Sequence, residues 1–268
     1  MRIVALLALR NEALYLGACL GHLAAQGIET CVIDNGSSDE SRAIAESYRD
    51  RGVFEIIEYP YEGFFDLAGQ LELKERLAAT IEADWFIHHD ADELREAPPP
   101  WRTLAEGIQA MDRAGWNAIN FDEFVFIPTQ EFASYDAADF VSAMHYYYFF
   151  QPRPHHRVNA WKKCAVPVNL VSSGGHRVSF PDRRIAPESF ILRHYLFLSL
   201  DHCIRKYTQR VYSQREINEF GWHRARARLT PANVRLPAVA EMKRVEPGRW
   251  DKSEPQHSHR FMVRGDAG

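Results

Sequence analysis

A chain of 268 residues is long enough to bury a substantial core, as one large domain or a compact domain with an appendage. Its 46% hydrophobic and 25% charged residues match an ordinary globular protein, which excludes a disordered or collagen-like chain. A formal net charge of −4 makes no case for nucleic acid, which is not expected as a partner, and no apolar run is long enough to span a bilayer.

Ile3–Leu9 is a continuous apolar run, the pattern of a parallel strand covered on both faces; it runs straight into Arg10-Asn11-Glu12, unlike a signal peptide. Residues 11–26 carry apolar side chains at helical spacing (Leu14, Leu16, Leu20, Leu23), and Gly27 ends them. A second strand over 28–33 meets Asp34-Asn35-Gly36-Ser37-Ser38-Asp39, a turn whose side chains are suited to cap the next helix, 41–51. A strand over 53–59, a helix over 66–82 and a fourth strand over 84–89 follow, the last ending at Asp90-Ala91-Asp92-Glu93. This order predicts an α/β fold: a doubly wound, mostly parallel sheet with helices on both faces and right-handed crossovers. Ligands of such sheets bind beyond the carboxyl ends of the strands, where Arg10–Glu12, Asp34 and Asp90–Glu93 all fall.

After Pro98-Pro99-Pro100 the pattern becomes mixed. A helix is predicted over 101–114, aromatic strands over 116–127, 145–150 and 157–163, a glycine loop over 172–176, a strand over 190–195 and an amphipathic helix over 198–220. The tail from Pro247 has weak core-forming power and is expected to be flexible. Residues 1–120 are thus expected to form an α/β portion and 121–246 a second portion of the same globular domain. Residues 247–268 form the tail. Basic residues crowd the stretch 202–249, including Arg205, Lys206, Arg210, Arg226 and Arg244; it is either a solvated face or a surface for an anionic substrate or membrane headgroups. Cys19, Cys31, Cys164 and Cys203 form no CxxC pair and no zinc spacing, so a reduced cytoplasmic protein is expected, with peripheral contact to the inner membrane face as an option.

Three segments together resemble family 2 glycosyltransferases of the GT-A fold: the strand ending in Arg10-Asn11-Glu12, the run Val32–Asp39, and Trp85–Glu93 with its Asp-x-Asp triplet. The resemblance covers about the first ~120 residues. It implies a GT-A-type sheet with a smaller mixed C-terminal acceptor portion. It also implies transfer of a sugar from a nucleoside-diphosphate sugar, UDP favoured, to a hydroxyl of a glycan or glycolipid. A divalent cation, Mn²⁺ or Mg²⁺, would neutralise the diphosphate that leaves.

On that resemblance Asp92 binds the metal, while Asp90 binds it through water or touches the ribose. The bland reading of both is a solvated acidic loop closed by Glu93. Asp34 accepts hydrogen bonds from base or ribose, or forms the turn. Asn11, Glu12 and the backbone near Leu9 contact the base, or Glu12 caps the first helix. Lys74 reaches the diphosphate or is a solvated helical lysine. A late histidine completes the metal shell, His194 ahead of His176. His88 and His89 point to opposite strand faces. An inverting reaction needs a carboxylate base: Glu123 ahead of Asp122, with Glu188 in reserve, although no Glu-Asp base motif stands in its usual place. The run Tyr146–Phe150 with Trp161 lines an acceptor groove or is sheet core. Two rivals remain. A nucleotidyltransferase would need a glycine-rich basic loop after the first strand, and Arg10-Asn11-Glu12 is not one. An inactive module that binds a glycan or partner is not excluded by intact Asp90 and Asp92.

Overall fold

The computed structural model describes residues 1–262 and divides into two compact units. The first comprises residues 1–62, 67–122 and 155–192; the second comprises 63–66, 123–154 and the chain from Arg193. Segment 155–192 rejoins the first unit, so the division does not follow the chain order expected of a portion ending near residue 120.

The first unit is built on β1 (Ile3–Leu9), β2 (Glu29–Asp34), β3 (Val53–Glu58) and β4 (Trp85–His89), in the order β4-β1-β2-β3 with every pair parallel. Val4–Leu7 are fully buried, as a strand covered on both faces must be. The connections are α1 (Ala13–Ala25), α2 (Ser41–Ser47) and α3 (Leu67–Thr80). Right-handed crossovers put α1 and α2 on one face and α3 on the other. Tyr48, just after α2, accordingly donates its hydroxyl to the Gly17 carbonyl of α1 at 2.9 Å. Within α1 the buried set is Tyr15, Leu16, Cys19, Leu20 and Leu23, one helical stripe; Leu14 lies off it and is exposed.

Past the acidic turn the chain forms β5 (Glu93–Glu96), a strand the sequence pattern did not suggest. Helix α4 (Leu104–Arg113) starts at Thr103, whose side chain accepts from the Glu106 N–H. Strand β6 (Ala118–Phe126) passes from the first unit into the second, and its first residues pair antiparallel with β8 (Val158–Lys162), which pairs with β4. β8 therefore explains why segment 155–192 belongs with the first unit.

In the second unit the end of β6 pairs with β7 (Tyr146–Phe150), and β7 with the short β10 (Lys243–Arg244). Between β6 and β7 lies α5 (Phe140–Ala143); later come β9 (Phe190–Tyr195), which begins in the first unit, and α6 (Leu200–Thr208). Tyr147–Phe150 are buried, so this aromatic run is core. Trp250 stacks on Phe124 with centroids 4.5 Å apart, and Phe261 is fully buried against Phe197 and Tyr207. The tail is thus packed as far as Met262, because its two large aromatics have apolar surface to bury; the rest of the expected flexible tail, 263–268, lies outside the described residues. The long helix expected over 198–220 stops at Thr208. There the chain extends to pair with Phe65, whose N–H donates to the Val211 carbonyl at 2.8 Å, and Tyr212 and Ser213 become buried. All four cysteines are free thiols, and no described helix is long and apolar enough to cross a membrane.

Candidate functional site

Strand order fixes where a ligand can sit in the first unit. From β1 the chain moves one way to β2 and β3, then returns past β1 to β4, so the switch point of this sheet lies between β1 and β4. In register Leu9 stands opposite Asp34 and Leu7 opposite His89. Asp34 and Asp90 therefore flank β1, two strand spacings or about ~10 Å apart along the sheet.

The loops after β1 and β2 are tied to each other. The Asn11 N–H donates to Ser37 Oγ (3.1 Å), and the Asn11 Oδ1 accepts from the Ser38 N–H (2.7 Å). The Glu12 N–H donates to Ser41 Oγ (2.8 Å), and the Ala13 N–H to Asp39 (3.1 Å). The first N–H groups of α1 are thus satisfied from the neighbouring loop; Glu12 occupies the N-cap position with no side-chain capping bond of its own. Asp34 accepts from the Ser37 N–H at 3.0 Å and lies 3.9 Å from Arg42. Buried Asn35 donates to the carbonyls of Tyr59 (3.0 Å) and Pro60 (3.1 Å), and its N–H donates to the Leu9 carbonyl (2.8 Å). Arg10 stacks on Tyr61, 3.4 Å from the ring centroid, and donates to the carbonyls of Asn35 and Gly36. Gly36 has φ +60°, and a Cβ there would lie 3.2 Å from Tyr61 Cβ, so this close approach requires glycine.

At the end of β4, Asp90–Glu93 forms a tight turn, with the Glu93 N–H donating to the Asp90 carbonyl (3.2 Å) and the Asp90 N–H to the Glu93 carboxylate (3.2 Å). Glu93 is fully buried, pairs with Arg95 and has Arg157 at 3.9 Å. Arg95, also fully buried, donates to His89 Nδ1 (3.0 Å) and the His88 carbonyl (3.1 Å). Asp92 is 8% exposed, whereas the Asp90 side chain is 43% exposed with His88 Nε2 at 4.0 Å. Desolvation raises the Asp90 carboxyl, but His88 and Lys74 outweigh it and hold it well below the ordinary carboxylate value. It is ionised at neutral pH.

Lys74 is neither solvated nor directed outward. It is 1% exposed, lies 3.0 Å from His88 Nδ1 and donates to the His89 carbonyl (3.2 Å). Burial lowers its ammonium to about 8, against the pull of Asp90 and Glu93. The long aliphatic stem reaches inward from α3 to the end of β4, beside Asp90. Burial, with Lys74 and Arg95 respectively, also pushes His88 and His89 well below the ordinary imidazole value. The two rings face opposite ways, one to Lys74 and the other to Arg95, as strand alternation requires.

With that geometry in hand, the family model described as Glycosyl transferase family 2 matches residues 5–64, the segment from β1 through β3. Over 111 residues the chain is 32% identical to the lipopolysaccharide core biosynthesis glycosyltransferase LpsC of Rhizobium meliloti (strain 1021), 40% of this chain and 37% of that protein. The match to glycosyl transferase family 2 is thus confined to residues 5–64. Since the chain spans little over a third of LpsC, the likeness concerns a part of that enzyme. Among solved structures, S. aureus TarS 1-349 in complex with UDP-GlcNAc is similar at a TM-score of 0.46 and 10% identity, covering 73% of this chain and 58% of that one. Glucosyl-3-phosphoglycerate synthase from Mycobacterium tuberculosis in complex with Mn²⁺, UDP and phosphoglyceric acid is similar at 0.31 and 16%, covering 46% and 43%. Both likenesses are partial, and the fold stands on this chain's own strand order.

The remaining expected site residues lie beyond the family segment. His176, in the first unit, has its Nδ1 2.9 Å from the Ser173 carbonyl and its ring tilted against that of His156, centroids 4.7 Å apart. The adjacent Gly175 does allow a close approach, but of His88: a Cβ there would lie 2.9 Å from His88 Nε2. Asp122 is 7% exposed and accepts from Asn120 Nδ2 (3.4 Å). In the second unit Glu123 and His194 form a buried pair, Oε1 to Nδ1 2.6 Å, so the favoured base and the favoured metal histidine are hydrogen-bonded to each other. Among the described residues no three His, Cys, Asp or Glu side chains are grouped as a metal cage. No sequence motif assigns a role to Arg95 or Arg157, and Asn35 is marked there only as one of the turn residues 34–39. Glu93 and Arg95 are two apart on β5 and so share a face, but nothing in the sequence marks that segment as a strand. Nothing in the sequence marks Arg157.

Proposed function

We propose that this chain transfers a sugar from a nucleoside-diphosphate sugar, UDP-sugar favoured, to a hydroxyl of a glycan or glycolipid. The observation that carries the reading is the position of Asp34 and the Asp90–Asp92 turn on either side of β1, at the switch point of a sheet whose first three strands match family 2. The name of the relative LpsC supports a saccharide acceptor. Asp34, with Asn11, Glu12 and the backbone at Leu9, forms the nucleoside end of this edge.

The donor set of the turn fits a hard divalent cation, Mg²⁺ or Mn²⁺. Asp90 is ionised and half exposed beside Asp92, and such ions are held by one or two carboxylates with substrate phosphates and water completing the shell. A cation bound there supplies neutralisation of the departing diphosphate. Glu93, locked by Arg95 and Arg157, holds the turn; Lys74 supports it from beneath. The Glu123 carboxylate, paired with His194, is the proposed acceptor of the hydroxyl proton in an inverting reaction.

The test is calorimetric titration of UDP with and without Mn²⁺. Wild type should bind UDP about tenfold or more tightly with the metal, and Asp92→Ala should abolish the difference. UDP binding indifferent to Mn²⁺, or an undiminished metal effect in the variant, overturns the assignment.

A further inference from the structure

We propose that the second unit carries a separate site for the phosphate group of a phosphorylated sugar, formed by Arg210, Arg226 and the hydroxyl of Tyr212. These three side chains line a partly open cleft of about 210 Å³ between the end of α6 and the chain from Val211 to Leu229. No carboxylate lines it. On the adjoining turn Glu216 is buried and lies 3.2 Å from His223 Nε2. Arg210 lies over Phe65 at 4.7 Å and Arg226 over Tyr207 at 5.3 Å. Neither guanidinium has an ion-pair partner among the described residues.

Ordinary surface arginines are the commoner origin of such a patch, and Tyr212 is what separates this cleft from them. Tyr212 is 6% exposed and its hydroxyl is buried with no hydrogen-bond partner, a condition that costs stability unless a ligand or water supplies one. Its ring is fixed by stacking on His223 at 4.9 Å, so the hydroxyl is held in place. Burial also raises the phenol above its usual value, against the opposing effect of Arg210, Arg226 and Lys206; it stays protonated and is a donor at neutral pH. Two guanidiniums and a phenol supply hydrogen-bond donors in a partly dry cleft, the chemistry that a phosphate's oxygens accept.

Size and walls narrow the ligand. Pockets for drug-sized molecules run to roughly 300–1,000 Å³, so this cleft is too small for a nucleoside-diphosphate sugar and suits one phosphorylated monosaccharide. Tyr207, Ile217 and Leu229 give it apolar surface against which the C–H face of a sugar ring packs. The site uses none of Asp34, Asp90 or Asp92 and stands or falls apart from the donor reading.

The test is calorimetric titration of the full chain with glucose 6-phosphate, inorganic phosphate and glucose. Glucose 6-phosphate should bind and glucose should not. Arg210→Gln with Arg226→Gln should weaken binding by at least about tenfold, and Tyr212→Phe by several-fold, while Asp92→Asn leaves it unchanged. Tighter binding of glucose 6-phosphate than of phosphate assigns the cleft to a phosphosugar; equal binding leaves the phosphate group as the recognised element and overturns the sugar part. If the double variant does not fold, by near-ultraviolet circular dichroism, Tyr212→Phe decides alone. The site is refuted by no binding of either phosphorylated probe, or by variants that fold and bind as wild type does. It is refuted equally by loss of binding in Asp92→Asn alone, which would place the phosphate on the donor edge.

Discussion

The loop after β2 and the turn after β4 flank the same strand and are both rich in aspartate, yet they use their polar groups in opposite ways. In the β2 loop the polar groups are directed at backbone: Asp34, Asp39, Ser37, Ser41 and Asn11 all accept from N–H groups of the two adjoining loops. The family-like run Asp34–Asp39 is therefore first a lock between the starts of α1 and α2. In the β4 turn the labour is divided. Glu93 faces inward to two arginines, and Asp90 faces out with 43% of its side chain exposed. Adjacent acidic letters in a sequence thus carry different duties, and burial tells them apart.

The sharpest way to break this contrast is to exchange the duties by mutation. Glu93→Ala leaves Arg95 and Arg157 without their buried carboxylate, and loss of one partner from a buried charge group costs about 3–5 kcal/mol. Asp90→Asn removes a half-exposed charge and should change stability by no more than about 1 kcal/mol. Urea unfolding of both variants measures the difference. Equal losses would mean that the turn is held as a whole and that Glu93 has no special structural part.

A second test concerns what lies beneath the turn. Lys74 titrates at about 8 in the folded protein, below its ordinary 10.5, because burial disfavours its charge. Between those values the unfolded chain binds more protons than the folded one, so stability rises as pH increases through that window. The gain reaches roughly 3 kcal/mol if nothing else relaxes. In Lys74→Met the rise from this group should vanish, leaving wild type and variant urea midpoints to diverge between pH 8 and 10.5. Parallel midpoints across that range would return Lys74 to the solvated face that its sequence position first allowed.

Lys74 also shows what the chain's pattern can and cannot reveal. Residue spacing located α3 to within a turn at each end, but a lysine on a polar-looking helix reads as surface. Only the packing of α3 under His88 and His89 makes it internal. The parallel half of the fold was legible because continuous apolar runs and intervening helical stripes carry a period. Strand β5 was not, since Glu93-Leu94-Arg95-Glu96 has the composition of a loop and becomes a strand by pairing with β9, far along the chain, with its Glu93–Arg95 ion pair buried. The helix forecast over 198–220 failed for a related reason: its periodicity continues past Thr208, but pairing with Phe65 takes the chain away from it. At the candidate site, the positions of Asp34 and Asp90 followed from strand ends alone. The Glu123–His194 contact did not, because it joins residues 71 apart in the sequence.

The smallest effect tests the other half of the contrast, the lock. Ser41 is fully buried, and its hydroxyl accepts the Glu12 N–H, an orphan donor at the start of α1. Ser41→Ala should cost about ~1 kcal/mol, the usual worth of a capping hydroxyl. The bond joins two loops, so the loss should appear in both: faster amide exchange at Glu12, and at Ser37 and Ser38, whose contacts with Asn11 depend on the same alignment. Protection lost at Glu12 alone would reduce Ser41 to a local cap, and the run Asp34–Asp39 would no longer be a joint between helices. Protection lost at all three, with Asp90 unaffected, would show that the β2 loop moves as a unit separately from the β4 turn.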